Sequence, residues 1–328
     1  MSDWPITFED VLAARDRIRP FLPPTPLRSY APLDAAAGSG IRVLVKHENH
    51  NPTNAFKVRN ALSVMTSLTD DEKRRGVMAA TRGNHGLGLA WAGARLDVPV
   101  ALCVPLGNNP EKNEAIRGLG ADLIEEGRDY DEAVAVAARL ARQRGMRIVH
   151  STNDPMVIAG AGTFALEIVE AIPPYAKLDA MVVAIGGGSQ AVGALTVMRR
   201  LLPGVKVHGV QAERAAAIHD SWHAGRATQA PSADTFADGL ATRQTCELTF
   251  EPLRAGLAGF VKVSEAEIAS ALRLLVRTTH NLVEGAGAAG LAGLLKLGPA
   301  LAGRTVAIVL SGANIDAETL RRVLTREL

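Results

Sequence analysis

The sequence has few cysteines, little excess charge and no long apolar run, and each shortage argues against a class of protein. Two cysteines in 328 residues, Cys103 and Cys246, stand alone without the paired spacing of a zinc site or a disulfide framework, which is typical of a reducing cytoplasm. A net charge of +2 is too small to indicate a nucleic-acid or membrane-surface protein. No apolar run approaches the roughly 20 residues that cross a bilayer, and the N-terminus lacks the apolar segment of a signal peptide. We therefore expect a cytoplasmic protein without nucleic-acid or membrane partners.

What the sequence does contain is a regular alternation of short apolar runs and amphipathic segments. A hydrophobic fraction of 47% in a chain of 328 residues suits a globular protein with two domains. The apolar runs are bounded by glycine or proline, as strands buried on both faces of a parallel sheet are. Strands are predicted at 41–48, 76–81, 98–105, 122–126, 147–150, 180–185, 205–211 and 304–310. Helices are predicted at 57–68, 84–96, 111–119, 130–144, 190–202, 265–280, 286–297 and 318–326. The predicted fold class is α/β with open twisted, mostly parallel sheets, and residues from about 213 to 260 are expected to be irregular.

Four of the predicted strands end in unusual residues, where ligands bind in such sheets. The first strand end leads through a polar turn, with Thr53 or Asn54 as a possible helix cap, into a helix whose first turn contains Lys57. The positive end of the helix dipole disfavours a charged amine there. The position therefore favours a lysine that acts as a neutral amine. The alternative is a surface lysine directed to water.

The other three strand ends are polar or rich in glycine. Thr81-Arg82-Gly83-Asn84-His85 opens a helix whose free N–H groups suit a carboxylate, although an ordinary turn capped by Asn84 is an alternative. Gly186-Gly187-Gly188-Ser189-Gln190 lies between a strand and a helix and lets the backbone surround a phosphate. It matches neither a P-loop nor a dinucleotide fingerprint. Ser311 ends the last strand, where its hydroxyl can meet a ring nitrogen, and Asp316 is expected to cap the final helix.

Together these four segments resemble the tryptophan-synthase-β type (fold type II) of pyridoxal-phosphate enzymes, and within it the serine/threonine dehydratase and serine racemase family. The resemblance covers about residues 20 to 320. It implies that Lys57, in Asn-Ala-Phe-Lys, forms the Schiff base with pyridoxal 5'-phosphate and is the catalytic base. It also implies cofactor contacts from Phe56, Asn84, Gly186, Gly187, Gly188, Ser189, Gln190, Glu284 and Ser311. Substrate contacts are implied for Thr81, Arg82, Gly83, Asn84, His85 and Gly239.

The resemblance further implies a division of the chain and an activity. A small mobile domain at 49–150 is expected to be inserted in a large domain made of 1–48 and 151–328, and the usual assembly is a homodimer. The implied reaction is elimination of water and ammonia from L-threonine or L-serine. Alternatives are a dehydratase for phenylserine or 3-hydroxyaspartate, an amino-acid racemase, a β-replacement enzyme of the cysteine-synthase kind, and a catalytically silent cofactor-binding protein.

Two departures from the family pattern refine these expectations. Racemising relatives carry a proton-donating serine where this chain has Arg82, and arginine is a poor proton carrier, so racemase activity is expected to be weak or absent. Arg82 is expected either to meet a second carboxylate or to turn outward into a salt bridge. Relatives hold a divalent ion with two acids that are Gln211 and Ala217 here, and such ions need oxygen ligands. No divalent metal site is expected.

Overall fold

The computed structural model describes residues 4–173, 176–230 and 232–328. Its strands form two sheets with helices on their faces, which confirms the predicted α/β class. The strands are β1 (Leu27–Ser29), β2 (Arg42–Lys46), β3 (Val77–Ala80), β4 (Val100–Val104), β5 (Asp122–Glu125), β6 (Arg147–Ile148), β7 (Ala180–Ala184), β8 (Lys206–Ala212), β9 (Gly259–Val263) and β10 (Thr305–Val309).

The helices account for most of the remaining described chain. They are α1 (Phe8–Ile18), α2 (Ala31–Ala37), α3 (Lys57–Met65), α4 (Asp70–Arg75), α5 (Asn84–Leu96), α6 (Pro110–Gly118), α7 (Tyr130–Arg144), α8 (Pro155–Ala171), α9 (Ser189–Leu201), α10 (Ala217–Ala224), α11 (Glu247–Gly256), α12 (Glu265–Thr279), α13 (Gly285–Leu297) and α14 (Ala317–Leu324). None of these described helices is both long enough and apolar enough to span a bilayer.

The larger sheet has six strands in the order β1-β2-β10-β7-β8-β9. All its neighbours are parallel except β1 and β2. Alternate residues of β7 enter different cores: Met181 and Val183 pack with α8 and α9, whereas Ala180 and Val182 pack with α12 and α13. This alternation follows from the two-residue period of a strand. Burial on both faces explains why the strand is a continuous apolar run.

The smaller sheet has four strands in the order β5-β4-β3-β6, all parallel. Strands β3 and β4 are buried along their whole length, and Cys103 on β4 is buried as expected. Every strand of this sheet lies between residues 49 and 150, and every strand of the larger sheet lies outside that range. The domain boundaries themselves stay a prediction.

Each predicted strand and helix is present with shifted ends, but several elements were not predicted. The longest is α8, which is apolar on nearly all sides and therefore lacks the polar face that marks a helix in sequence. The description of 213–260 as irregular was wrong in part, because α10, α11 and the start of β9 lie there. Neither Thr53 nor Asn54 caps α3, whose preceding residue is Phe56. Gly83, not Asn84, precedes α5, whereas Asp316 caps α14 as predicted.

A buried ionic network joins β2, α3 and α8. Arg59 on α3 binds Glu48 through Nε, 2.6 Å from Oε2, and binds Glu167 through a terminal nitrogen, 2.6 Å from Oε1. A second terminal nitrogen of Arg59 lies 2.9 Å from Glu48 Oε1 and 2.8 Å from Glu167 Oε2. Lys46 completes the network on Glu167. Two cations therefore balance two carboxylates, as buried charges require, and α3 is held two residues beyond Lys57.

Candidate active site

A cavity of about 690 Å³ lies where the carboxyl ends of strands from both sheets meet. The structure brings every predicted site residue to its wall. The lining includes Phe56, Lys57, Thr81, Arg82, Gly83, Asn84, His85, Gly186, Gly187, Gly188, Ser189, Gln190, Gly239, Glu284 and Ser311. Their individual roles stay predictions, but their meeting point follows from the topology, because parallel strands end at one edge of a sheet.

Lys57 is the first residue of α3 and directs its amine into the cavity. The segment before it is attached to the loop after β10: Phe56 N donates to the carbonyl of Ser311 at 3.0 Å, and Ala55 bridges to Gly312. The amine donates to the carbonyl oxygen of Ser151 at 3.0 Å. Burial lowers the pKa of Lys57 to about 8. A larger neutral fraction near pH 7 than an exposed lysine has is what a nucleophilic amine needs.

The loop of Gly186, Gly187 and Gly188 connects β7 to α9 so tightly that side chains are excluded. A Cβ on Gly186 would lie 2.1 Å from the carbonyl oxygen of Gly239, and one on Gly187 would lie 2.1 Å from Thr152 Oγ1. Gly188 has φ +101°, which favours glycine. Buried Gln190 follows, and its Nε2 has no partner in the described structure. Such a loop at a helix N-terminus suits a phosphate.

Gly187→Ala is expected to weaken binding of a phosphorylated cofactor. Overpacking against Thr152 costs about 1–3 kcal/mol, or roughly 5- to 150-fold in affinity. The measurement is a titration of the apoprotein with cofactor, followed by fluorescence. Gly204→Ala is the matched control, since a Cβ there meets no atom within 4 Å. Equal affinities of the two variants for the cofactor would contradict the prediction that the loop 186–188 binds the phosphate closely.

The segment Thr81–His85 forms a compact turn ahead of α5. Thr81 Oγ1 accepts from the N–H groups of Gly83 and Gly86, both at 3.0 Å. His85 Nε2 lies 3.2 Å from the carbonyl oxygen of Val149. Burial, with the positive charge of Lys57, lowers the pKa of His85 to about 3, so the ring is neutral and donates from Nε2.

Asn84 is held by two polar side chains of the larger sheet's loops. Its Nδ2 donates to Glu284 Oε1 at 2.7 Å, and its Oδ1 accepts from Asn314 Nδ2 at 2.7 Å. Burial raises the pKa of Glu284 to about 7, against the opposing charge of Lys112. Ser311, just after β10, is buried. Its neutral hydroxyl lines the same cavity as Lys57 and the glycine loop.

Several lining residues were not predicted. His150, Ser151, Thr152 and Asn153 follow β6, and Tyr130 begins α7. The polar run after a predicted strand could have indicated the first group. Cys246 also lines the cavity, and its burial raises the pKa of the thiol. Nothing in the sequence around Tyr130 or Cys246 marks either as a site residue, because tertiary packing brings both there.

Gln211 and Ala217, which replace the acids of a divalent site, have ordinary structural surroundings. Gln211 is fully buried; its Oε1 accepts from His219 N at 2.9 Å, and its Nε2 donates to Thr242 Oγ1 at 3.3 Å. Across residues 4–173, 176–230 and 232–328, no group of three His, Cys, Asp or Glu side chains is placed to hold a metal ion. The expectation of no divalent site stays a prediction.

Comparison with known proteins defines the class of this fold and site. A family model described as pyridoxal-phosphate dependent enzyme matches residues 18–312. The chain is 37% identical to the L-threonine ammonia-lyase of Thermotoga maritima, over 98% of this chain and 79% of that protein. It superposes on threonine deaminase isoform 2 of Solanum lycopersicum with a TM-score of 0.89 and 30% identity, over 97% and 91% of the two chains. It superposes on the serine racemase of Dictyostelium discoideum with a TM-score of 0.88 and 29% identity, over 95% of this chain and 99% of that one.

The chain belongs to the pyridoxal-phosphate dependent enzyme family, within the fold type II group of serine and threonine dehydratases. Its cofactor is pyridoxal 5'-phosphate. The residues that line the cavity fit this cofactor. The glycine cradle, residues 186–188, has no room for a Cβ on Gly186 or Gly187, which leaves its backbone open to a phosphate. The buried amine of Lys57 lies in the same cavity.

Proposed function

We propose that this enzyme dehydrates and deaminates a β-hydroxy amino acid such as L-threonine or L-serine, releasing a 2-oxo acid and ammonia. The observation that carries the proposal is the buried amine of Lys57, whose pKa is lowered to about 8. It shares one cavity with the glycine cradle and with the turn Thr81–His85. The similarity to threonine ammonia-lyases over nearly the whole chain supports the same reaction.

Each part of the cavity then has a task. When bound, pyridoxal phosphate accepts the electron pair left at Cα as a bond there breaks. Lys57 holds the cofactor and, once released, takes the α-proton as a neutral amine. The loop from Gly186 to Gln190 would bind the phosphate of the cofactor, and Phe56 would lie beside its ring. Asn84, which donates to Glu284, would orient the ring hydroxyl of the cofactor.

The substrate is held on the other side of the cavity. Backbone N–H groups of the turn Thr81–His85 bind the α-carboxylate, and Gly239 borders the space for the side chain. Ser311 would face the ring nitrogen of the bound cofactor, and its neutral hydroxyl would favour elimination over aminotransferase chemistry. Because an arginine stays protonated and cannot exchange a proton with Cα, racemisation at Arg82 is expected to be weak.

We also propose that residues 49–150 close on the rest of the chain around the substrate, since elimination needs a shielded site. Two ion pairs cross between these parts. Lys112 Nζ lies 2.6 Å from Asp238 Oδ2, and Arg243 pairs with Asp131. A homodimer in the cytoplasm is the arrangement that we propose for the working enzyme.

The test is release of ammonia and 2-oxo acid from a panel of L-threonine, L-serine, phenylserine and 3-hydroxyaspartate. We expect turnover of at least one member and little racemised product. Thiol addition to an acylated serine would instead indicate a β-replacement enzyme. Cofactor binding without turnover of any substrate would indicate a silent binding protein and would overturn the proposal.

A further inference from the structure

Most of the charged side chains around the cavity have an ion-pair or hydrogen-bond partner within the protein. Lys112 pairs with Asp238, and Arg243 pairs with Asp131. Asp234 pairs with Arg214 outside the lining. Asp129 caps α7 by accepting from Glu132 N at 3.0 Å, Glu284 accepts from Asn84, and Lys57 donates to Ser151. Apart from Lys57, whose amine is assigned to the cofactor and the α-proton, these groups therefore have partners before any substrate enters.

Arg82 is the exception. In the part of the chain that the structure describes, its guanidinium has neither a salt bridge nor a side-chain hydrogen bond, although it lines the cavity. The predicted alternative of an outward salt bridge therefore has no support among these residues. Thr81 and Gly83 on either side are buried, and the hydrogen bonds to Thr81 Oγ1 fix the turn. The position of Arg82 is consequently set by the substrate-binding turn itself.

Tyr130 orients the free guanidinium. Arg82 Cζ lies 5.9 Å from the centroid of the Tyr130 ring, within the range of a cation–π contact. Burial raises the pKa of Tyr130, so its ring is a neutral part of the cavity wall. An arginine on an aromatic ring keeps its N–H groups free, and their fork matches a carboxylate in bidentate geometry.

We propose that Arg82 determines substrate specificity by binding a second carboxylate, so that the preferred substrate is a β-hydroxy dicarboxylic amino acid. This inference rests on the proposed ammonia-lyase function and narrows its substrate class. The α-carboxylate is assigned to the N–H groups at the start of α5, just after Arg82, because those of Thr81 and Gly83 donate to the carbonyl of Cys103 and to Thr81 Oγ1. A short side chain that leaves Cα can therefore present its own carboxylate to the guanidinium of the same turn. Threonine and serine offer no group that uses this charge.

The test compares kcat/KM for threo-3-hydroxyaspartate and L-serine in the wild-type holoenzyme and in Arg82→Gln. We expect the wild type to prefer hydroxyaspartate. The ratio of the two kcat/KM values should fall about 10- to 100-fold in the variant, as expected for loss of a hydrogen-bonded charged pair. Arg82→Lys keeps the charge without the fork and should restore part of the ratio.

Arg95→Gln is the matched control. Arg95 also stacks on an aromatic ring, 4.9 Å from the centroid of Trp91, but it does not line the cavity. Its loss should leave the ratio unchanged. A second readout needs no turnover: succinate should bind the wild-type holoenzyme more tightly than butyrate by calorimetry, and Arg82→Gln should remove the difference.

The outcomes separate the inference from the function on which it rests. Efficient turnover of serine or threonine with rejection of hydroxyaspartate would overturn the inference and leave the ammonia-lyase proposal standing. A ratio that is the same in wild type and Arg82→Gln would also overturn it. If no β-hydroxy amino acid releases ammonia, the proposed function fails, and the succinate titration alone then decides whether Arg82 binds a carboxylate.

Discussion

Lys57→Ala is expected to lower the rate of ammonia release by about 10⁴-fold or more. The variant removes the amine that we propose holds the cofactor and takes the α-proton, and loss of general base catalysis alone costs roughly 10²- to 10⁴-fold. The visible absorbance of the cofactor–lysine linkage should disappear in the same variant. The measurements are steady-state ammonia release and an absorbance spectrum of the protein purified with cofactor.

Two further variants make this result specific. Lys57→Arg keeps a cation in the cavity but cannot form the linkage, so it should be as inactive as Lys57→Ala. Lys73→Ala removes a partly exposed lysine of α4 and should retain wild-type activity. Substantial ammonia release by Lys57→Ala, with its absorbance band retained, would assign the linkage to a different lysine.

Arg59→Met is expected to destabilise the folded protein by about 3–5 kcal/mol, the cost of leaving buried charges without their partner. Glu48 is fully buried and Glu167 nearly so, and Arg59 holds the pKa of the Glu48 carboxyl below its usual range against the opposing effect of burial. Without Arg59, burial should raise that pKa. The free energy of unfolding, measured in urea with saturating cofactor at pH 7, tests the loss.

The control for this variant is Arg15→Met. Arg15 forms ion pairs with Asp16 and Glu170 at the surface, where such pairs contribute about 0–1 kcal/mol. A double variant, Arg59→Met with Glu48→Gln, should recover part of the stability, because it removes one unpaired carboxylate. If Arg59→Met is no less stable than Arg15→Met, the network does not stabilise the fold.

The site was more predictable from sequence than the parts of the fold that support it. Glycine loops and polar residues at the ends of apolar strands have local signatures, and parallel topology requires them to meet. Helix α8 has no such signature, because burial on nearly all sides removes its amphipathic period. The cap of α3 was predicted wrongly because its start is fixed by a long-range hydrogen bond from Phe56 to Ser311.

The same limit explains the residues that were missed around the cavity. Tyr130 begins α7 on the same apolar face as Ala133 and Ala137, so its spacing indicates only packing in the core. Cys246 precedes a helix in the region described as irregular. Their importance depends on neighbours more than 40 residues away in the chain, such as Arg82 for Tyr130. Sequence patterns over ten or fifteen residues carry no information about such contacts.

The network around Arg59 also limits how Lys57 moves. The four carboxylate oxygens of Glu48, in the turn after β2, and of Glu167, on α8, bind the guanidinium of Arg59, which is only two residues after Lys57. Rotation or sliding of α3 would break several of these contacts at once. If the amine of Lys57 moves between the cofactor and the substrate during turnover, this displacement must therefore come from rotation about the side-chain bonds of the lysine. Because the backbone of Lys57 stays in place, we expect the amine to return to the same position at the end of each catalytic cycle.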